Sequence, residues 1–376
     1  MGPLLVVVVA WTTTTTQPAQ ARLLAPRRLG RSGRSASNPT TRRAAKKVFI
    51  DGEAGTTGLQ VRERLARHPD IEIVSLPAEQ RKDVDARRAA INAADAVVLC
   101  LPDAAAIEAA ALAGPEVRIV DASTAHRVAD DWVYGFAEMD RGRQREKIRT
   151  STRVSNPGCY ATGFVALIRP LVDAGVLAPD ARLACSAISG YTGGGKALCE
   201  VHEKEGDGDV EPWGAYGLAL DHKHLPEMAK HAGLANPPLF APAVGHFPQG
   251  MVVSVLVPDG FAATGHTADE AHSALTAAYA GEDFVRVAPF GVHAVEEAGM
   301  LNRGTFLDPT TCNGSNNLDV FVFESPKHNT ALLCARLDNL GKGASAAAVQ
   351  NLNIMLDLDP HAGLDLGDAA AAASSS

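Results

Sequence analysis

The feature that most constrains the fold is a series of short apolar runs that alternate with helix-like stretches early in the chain. The run 96–101 is apolar at every position, so a strand there would have to be buried on both faces. Strands buried on both faces and separated by helices predict a parallel sheet that is covered on both sides. The predicted strands are 47–51, 71–76, 96–101 and 117–120.

The first predicted strand leads directly into a glycine-rich turn with the spacing G-x-x-G-x-x-G, formed by Gly52, Gly55 and Gly58. A helix is predicted at 59–66, with Leu59 and Leu65 facing inward. Glycines between a strand and a helix let backbone N–H groups approach a pyrophosphate at the helix N-terminus. The spacing differs from G-x-G-x-x-G, and similar turns also occur without a ligand, so it favours a dinucleotide without proving one.

The end of the second predicted strand bears on which nicotinamide cofactor would bind. Arg81 and Lys82 could accept a 2′-phosphate, which favours NADP. Glu79 lies in the same segment, where an acidic residue would suit the free ribose hydroxyls of NAD.

Cys159 follows Pro157 and Gly158, which interrupt regular structure, and a helix is predicted at 160–172. The thiol should therefore lie at a helix N-terminus, where the dipole and the unpaired N–H groups favour the thiolate. A thiolate is a nucleophile. The alternative is that Cys159 packs as a small buried apolar side chain, as most free cysteines do.

A nucleophilic cysteine needs a partner for its proton, and the densest group of candidates lies at 221–227. This segment holds His222, His224 and Glu227, and His246 is a second candidate farther along. The H-x-H pattern with Glu227 could also bind a metal, but no further ligand pattern accompanies it, and we expect none.

The second half of the chain has a different sequence pattern, with glycine-rich loops such as 189–196 and strand-like runs such as 251–257 and 320–323. These features predict an α+β region with long antiparallel strands. An alanine-rich helix is predicted at 346–356, and it could return to the first region.

The charge distribution is uneven. Residues 1–47 contain nine Arg or Lys, and all 43 acidic residues follow them, although the whole chain has a net charge of −8. An Arg-, Ser- and Thr-rich segment without acids is typical of an organellar transit peptide, plastid or mitochondrial, or else of an extension without an address. The acidic remainder argues against nucleic acid as a partner, and no segment has the length and hydropathy of a membrane span.

Four stretches, in order, resemble the short class of N-acetyl-γ-glutamyl-phosphate reductases, which is related to aspartate-semialdehyde dehydrogenase. The stretches are 51–59, 121–127, 155–162, and 342–345 with 350–353. The resemblance implies a Rossmann-type, doubly wound parallel-sheet domain and an α+β catalytic and oligomerisation domain with a mainly antiparallel sheet. It implies these bounds: extension 1–46, NADP-binding domain 47–154 completed by the helical segment 338–358, catalytic domain 155–337 and tail 359–376. A homodimer or homotetramer is expected.

The resemblance also implies roles for individual residues. Cys159 matches the nucleophile, and His222 matches the general acid/base. The implied substrate-binding residues are Arg127, Tyr216, His224 and Glu227. The implied cofactor-binding residues are Gly52, Gly55, Thr56, Thr57, Gly58, Arg81, Ser123, Ser189, Gly190, Gly193 and Asn339.

The activity implied is NADPH-dependent reduction of N-acetyl-γ-glutamyl phosphate to the 5-semialdehyde through a cysteine thioester, in arginine biosynthesis. Within the same class, the alternatives are an aspartate-semialdehyde dehydrogenase and a reductase for the aminoadipate analogue. From other classes, a Cys-His hydrolase would need no nicotinamide, and a non-catalytic NADP-binding protein would need no Cys159.

Overall fold

The computed structural model describes residues 44–204 and 210–365, and its first half is built on a six-stranded sheet. The strands are β1 (Lys46–Asp51), β2 (Ile71–Val74), β3 (Ala96–Leu99), β4 (Arg118–Asp121), β5 (Val133–Tyr134) and β6 (Arg153–Ser155). They lie in the order β2-β1-β3-β4-β6-β5, and every pairing is parallel. The chain turns in opposite directions from β1 and from β3, so the strand order reverses between these two strands.

Helices cover both faces of this sheet, as strands apolar on both faces require. On one face, Val48 packs in a core with Leu65; on the other, Phe49 packs in a core with Ile91. These helices are α1 (Thr56–Ala66), α2 (Val84–Ala93), α3 (Asp103–Leu112) and α4 (Arg143–Thr150).

The second sheet has seven strands and is mainly antiparallel. Its strands are β7 (Ala184–Gly190), β8 (Trp213–Ala215), β9 (Leu239–Gly245), β10 (Met251–Val257), β11 (Val285–Val287), β12 (Leu318–Ser325) and β13 (Thr330–Leu337). They lie in the order β11-β12-β13-β10-β7-β9-β8, and only the pairs β7–β9 and β11–β12 are parallel. The predicted combination of a doubly covered parallel sheet and a mainly antiparallel one is confirmed.

One long helix packs across the second sheet and carries the candidate nucleophile at its first position. In this helix, α5 (Cys159–Asp173), Gly163 is buried, and a Cβ there would lie 2.8 Å from Cγ2 of Val253. Glycine therefore lets the helix lie close against β10. The other helices of this half are α6 (Gly195–His202), α7 (Leu225–Ala232), α8 (Ala268–Ala278) and α9 (Val292–Glu297).

The last helix, α10 (Ala346–Leu356), has the predicted bounds, and all of its residues are buried. It packs on the parallel sheet beside α1 and α4. The Asn351 side chain donates to Gly135 O at 2.9 Å and to Asn156 Oδ1 at 3.1 Å. The described residues belong to one compact unit, so the predicted division between 47–154 and 155–337 stays a prediction.

Helix α1 begins earlier than predicted, at Thr56, and the inward position of Leu59 is wrong: its side chain is 50% exposed. Starting the helix in the glycine turn leaves Val61 and Leu65 as its buried apolar positions. β1 likewise begins one residue earlier than predicted, at Lys46.

The two ends of the chain are described only in part. Residues 1–43 of the predicted extension and 366–376 of the predicted tail lie outside the described residues. The start of the tail packs on the fold, with Leu364 against the core under the parallel sheet. Among the helices of the described ranges, none has the length and apolar character needed to cross a membrane.

A buried ion pair joins the two halves of the sequence. Lys342 Nζ lies 2.7 Å from Glu138 Oε1, and both residues are almost fully buried. The same ammonium donates to Gln350 Oε1 at 2.7 Å. Removing one partner of such a pair leaves a buried charge uncompensated and costs about 3–5 kcal/mol.

We therefore expect Lys342→Met to lower the free energy of unfolding by about 3–5 kcal/mol in urea titrations followed by circular dichroism. The matched control is Lys196→Met, which removes a mostly exposed partner of Glu200 at 3.7 Å and should cost less than about 1 kcal/mol. Equal losses in the two variants would contradict a stabilising role for the buried pair.

Candidate active site

Cys159 is the first residue of α5 and is enclosed by close backbone approaches on two sides. A Cβ on Gly158 would lie 2.5 Å from Nε2 of His224 and would also overlap the Arg127 guanidinium. A Cβ on Gly343 would lie 2.8 Å from Cβ of Cys159 itself. Close packing at these two positions favours glycine, and at Gly343 it brings the backbone into contact with Cys159, 184 residues away in sequence.

The buried carboxylate of Glu227 holds the turn before Cys159. Its Oε1 accepts hydrogen bonds from the Gly158 N–H and from the Tyr134 hydroxyl, both at 2.8 Å. Its Oε2 lies 3.3 Å from Nη1 of Arg127. One carboxylate therefore fixes the backbone beside the nucleophile and pairs with a guanidinium at the same time.

Arg127 lies against the site with most of its donors occupied. Its Nε donates to Asn156 O at 3.0 Å, and its Nη2 donates to Ala122 O at 3.1 Å. The Asn156 side chain in turn donates to Ala344 O at 2.9 Å. The guanidinium is thus oriented by the backbone carbonyls that directly follow β4 and β6.

The two histidines of the predicted cluster occupy different environments. His224 is almost fully buried, and its Nδ1 has no hydrogen-bond partner among the described residues. Burial, with Arg127 next, holds the pKa of its ring well below the ordinary value. His222 is half-buried, and burial followed by Lys223 lowers its pKa as well. Both rings are therefore neutral near pH 7. Nδ1 of His222 accepts the His224 N–H at 3.2 Å, which leaves Nε2 for a substrate.

Two tyrosines border the histidines. The Tyr216 hydroxyl donates to the Tyr160 hydroxyl at 3.2 Å, and each ring lies edge-on to His222 with centroids 5.9 Å apart. Burial raises the pKa of Tyr216 to about 12, so this hydroxyl stays protonated at neutral pH and can donate a hydrogen bond.

A cavity of about 200 Å³ brings the predicted catalytic and cofactor residues together. The residues that line it include Cys159, His222, Thr56, Thr57 and Asn339. The N-terminus of α1, which follows the glycine turn, therefore opens into the same space as the candidate nucleophile. Arg127, Tyr216, His224 and Gly193 also line this cavity.

The glycine turn has the close backbone approaches that a dinucleotide site needs. A Cβ on Gly52, whose φ is +89°, would overlap the Cys100 carbonyl just beyond β3, and a Cβ on Gly58 would overlap the Gly52 carbonyl. Within the part of the chain that the structure describes, no side chain caps the N-terminus of α1, so its first N–H groups are left for an anion. The turn lies where the strand order reverses, which is where open α/β sheets bind such ligands. These residues fit a pyrophosphate.

The candidate 2′-phosphate residue Arg81 is paired with an acid that the sequence did not single out. Its Nη2 lies 2.6 Å from Glu53 Oε1. Arg62 pairs with the other oxygen of the same carboxylate, and the Ser75 hydroxyl donates to that oxygen at 3.0 Å. Two guanidiniums and a hydroxyl therefore surround Glu53, which is itself buried.

The remaining predicted cofactor residues are not all in one place. The Asn339 side chain donates to Thr192 Oγ1 at 3.0 Å and accepts the Gly250 N–H at 2.8 Å, so it orders the loop next to Gly193. Ser189 and Gly190 line a second, neighbouring cavity. Ser123 is turned toward Asp121, to which its hydroxyl donates at 2.7 Å. Gly55 closes the glycine turn by donating its N–H to Gly52 O at 3.1 Å.

Sequence reasoning missed Tyr134, Asn156 and Gly343. Tyr134 contacts the site from a segment without a recognised motif, whereas Asn156 and Gly343 lie in matched stretches but had been given no role. Tyr134 lies 93 residues before its partner Glu227, and no periodicity in the sequence links the two.

Within residues 44–204 and 210–365, no three His, Cys, Asp or Glu side chains converge as metal ligands would.

The predicted thiolate at the helix N-terminus is wrong for the substrate-free protein. Burial raises the pKa of the Cys159 thiol, against the smaller opposing effects of Arg127 and the Tyr160 N–H. The Cys159 side chain is partly exposed but packs against the core, and this desolvation outweighs the opposing effects of the helix terminus and the guanidinium. Desolvation therefore prevails, and the thiol is protonated near pH 7.

This leads to a pH prediction for the substrate-free protein. The rate of Cys159 alkylation by iodoacetamide should rise with pH to a midpoint above that of an ordinary thiol, because the thiolate forms only above the raised pKa. Peptide mass spectrometry would follow Cys159 separately from the other cysteines. A midpoint below the ordinary thiol value would contradict the role given to burial.

Two family models and a solved structure match most of this chain. Residues 47–149 match the family model described as semialdehyde dehydrogenase, NAD binding domain. Residues 159–339 match the one described as semialdehyde dehydrogenase, dimerisation domain. Among solved structures, an aspartate semialdehyde dehydrogenase II from Vibrio cholerae covers 83% of this chain and 99% of its own, with a TM-score of 0.59. At 14% identity it shows the shared fold alone.

Curated relatives are much more similar in sequence. N-acetyl-gamma-glutamyl-phosphate reductase 2 from Nostoc sp. is 52% identical over 324 residues, which are 85% of this chain and 99% of the relative. The N-acetyl-gamma-glutamyl-phosphate reductase from Burkholderia ambifaria is 49% identical over 311 residues, which are 82% of this chain and 96% of the relative. The chain therefore belongs to the N-acetyl-γ-glutamyl-phosphate reductase family, within the semialdehyde dehydrogenases.

Proposed function

We propose that this chain reduces the acyl phosphate of N-acetyl-γ-glutamyl phosphate to the 5-semialdehyde and releases inorganic phosphate, as a step of arginine biosynthesis. The observation that carries the proposal is that Cys159 lines one cavity with Thr56 and Thr57, at the turn suited to a dinucleotide. A thioester route with a hydride donor needs the nucleophile and the cofactor in one site. The names of the relatives supply the substrate.

In the first half of the reaction, the Cys159 sulfur bonds to the acyl carbon, the carbon–oxygen bond to phosphate breaks, and phosphate leaves with the electron pair. A thioester remains on Cys159. Arg127 lines the cavity and is placed to offset negative charge on the substrate. His222 takes the thiol proton at Nε2, which requires the tautomer with the ring proton on Nδ1 and loss of the hydrogen bond from the His224 N–H.

For the second half, the turn of Gly52, Gly55 and Gly58 would hold the dinucleotide, whose nicotinamide would supply a hydride to the thioester carbon. The oxygen of the adduct on Cys159 becomes negative and needs donors, which protonated His222 and the first N–H groups of α5 can provide. Breaking the carbon–sulfur bond then releases the aldehyde and restores the thiolate, and His222 returns to the sulfur the proton that it took in the first half.

The proposal is tested with a Cys159→Ser variant and a spectrophotometric assay of the reverse reaction. The variant should lose phosphate-dependent oxidation of N-acetylglutamate 5-semialdehyde, because a hydroxyl is a far weaker nucleophile than a thiol. Cofactor binding should survive, because the glycine turn is untouched.

Aspartate semialdehyde and the aminoadipate semialdehyde are assayed in parallel. A wild-type preference for either would assign the alternative substrate, and retained activity in Cys159→Ser would refute the thioester route. A Cys-His hydrolase or a non-catalytic cofactor-binding protein would show no semialdehyde oxidation in the wild type.

We further propose that NADP(H) is the cofactor. Arg81 and Arg62 surround Glu53, which supports this proposal. Gly52, Glu53 and Arg81 line a cavity that is separate from the one around Cys159 and also has a volume of about 200 Å³. A 2′-phosphate bound there would share the two guanidiniums with Glu53, whereas the uncharged ribose of NAD would leave them paired with Glu53 alone.

Arg81→Ala should therefore weaken NADPH binding roughly 10- to 100-fold, which is the usual range for losing a hydrogen bond to a charged group, and should affect NADH much less. Cofactor titrations followed by fluorescence measure both affinities. Arg88→Ala, at an exposed ion pair on α2, is the control and should change neither. Equal losses for both cofactors would mean that the 2′-phosphate is recognised elsewhere.

We also propose that the chain forms a homodimer or homotetramer and that residues 1–46 address it to an organelle. The match to a dimerisation domain supports the first proposal. The Arg-rich composition of the first 46 residues, which are free of acids, supports the second.

A further inference from the structure

A second and larger cavity, of about 760 Å³, adjoins the candidate active site. Ser189, Gly190 and Gly193, which the resemblance assigns to the cofactor, line one part of it, and the mechanism above gives the remainder no role. One wall is formed by apolar side chains of α6, namely Ala197, Leu198 and Val201. Val244 of β9 also lines the cavity. Val201 is 44% exposed, which is unusual for a branched apolar side chain unless it faces a ligand or partner.

This cavity is continuous with the reaction site. Tyr160, Tyr216, His222 and Lys223 line both cavities. A substrate whose acyl carbon is bound to Cys159 would therefore extend past His222 and Tyr216 before it reaches α6. The far end of the substrate is the part that this second cavity would contact.

Lys223 is the charged residue at the boundary between the two cavities. Its side chain is exposed, and its charge lowers the pKa of both neighbouring histidines. The Lys223 ammonium at this boundary suits a substrate carboxylate at the end of the substrate that is remote from the reacting carbon.

We propose that the second cavity binds the N-acyl group of the substrate and that Lys223 pairs with the substrate α-carboxylate. The inference rests on the proposed function, because only an N-acylated amino-acid semialdehyde carries both groups at the end remote from the reacting carbon. The apolar wall of α6 accepts the acyl chain, and the volume exceeds what an acetyl group fills. The cavity therefore selects an acylated substrate without closely limiting acyl length, since an apolar pocket distinguishes one methylene only about 10- to 200-fold.

The test measures kcat/KM in the reverse reaction with the N-acetyl, N-propionyl and N-butyryl forms of glutamate 5-semialdehyde. The wild type should use the butyryl compound within about tenfold of the acetyl compound, because the cavity has room. Val201→Trp should lower kcat/KM for the butyryl compound at least tenfold more than for the acetyl compound. The control Glu200→Trp adds the same bulk at the preceding position of α6, outside the cavity lining, and should keep the wild-type profile.

Ala197→Phe, on the same wall, serves as a second filling variant, and thermal unfolding confirms that each variant is folded. If both filling variants keep the wild-type acyl profile, the acyl site is refuted while the proposed function stands. If the wild type oxidises none of the N-acyl compounds but oxidises another semialdehyde, the proposed function and this inference both fail.

The pairing of Lys223 with the substrate α-carboxylate is tested with 4-acetamidobutanal, which resembles the N-acetyl substrate but lacks the α-carboxylate. Lys223→Met should lower kcat/KM at least tenfold for the N-acetyl substrate and should leave the value for 4-acetamidobutanal nearly unchanged. Lys223→Arg should restore most of the loss. An equal loss with both compounds would refute the pairing, because it would show that Lys223 acts on Cys159 or His222 instead.

Discussion

The candidate active site depends on one buried carboxylate. Glu227 accepts the Gly158 N–H and the Tyr134 hydroxyl and lies beside the guanidinium of Arg127. These three contacts join α7, the turn before α5 and the end of the parallel sheet. A buried carboxylate is costly unless it is hydrogen-bonded and paired, and these contacts supply both. The position of the Cys159 backbone therefore follows from how this charge is compensated.

The same burial governs the chemistry of the thiol. Cys159 is partly buried against the core, and this desolvation raises its pKa even though the residue begins a helix. The neighbouring histidines are neutral for the same reason. With a protonated thiol and a neutral imidazole, the site rests in a state in which the sulfur is only a weak nucleophile. Substrate binding would have to change the electrostatics before the thiol could react.

Much of the fold could be predicted because it is encoded locally. The apolar runs and the glycine turn predicted the parallel sheet, and α10 has the bounds that its alanine-rich sequence indicates. Errors occurred where local rules compete with packing. Leu59 is exposed because α1 begins inside the glycine turn, and the helix-terminus rule failed at Cys159 because desolvation is the larger effect.

The site was predicted in its parts but not in its connections. Motifs pointed to Cys159, the histidine cluster and the glycine turn, yet nothing in the sequence predicted that Tyr134 would bond to Glu227 or that Glu138 would pair with Lys342, 204 residues away. Such pairs are chosen by the packing of whole elements, and their members can lie anywhere in the chain.

The sequence by itself determined the elements, the family and the chemically capable residues, because turns, periodicity and motifs act over a few residues. Only the tertiary structure decided which charges are buried together, which nitrogen of His222 is free and which cavity continues from the cysteine. The physical reason is that burial and pKa depend on all neighbours in space, and those neighbours come from distant parts of the chain.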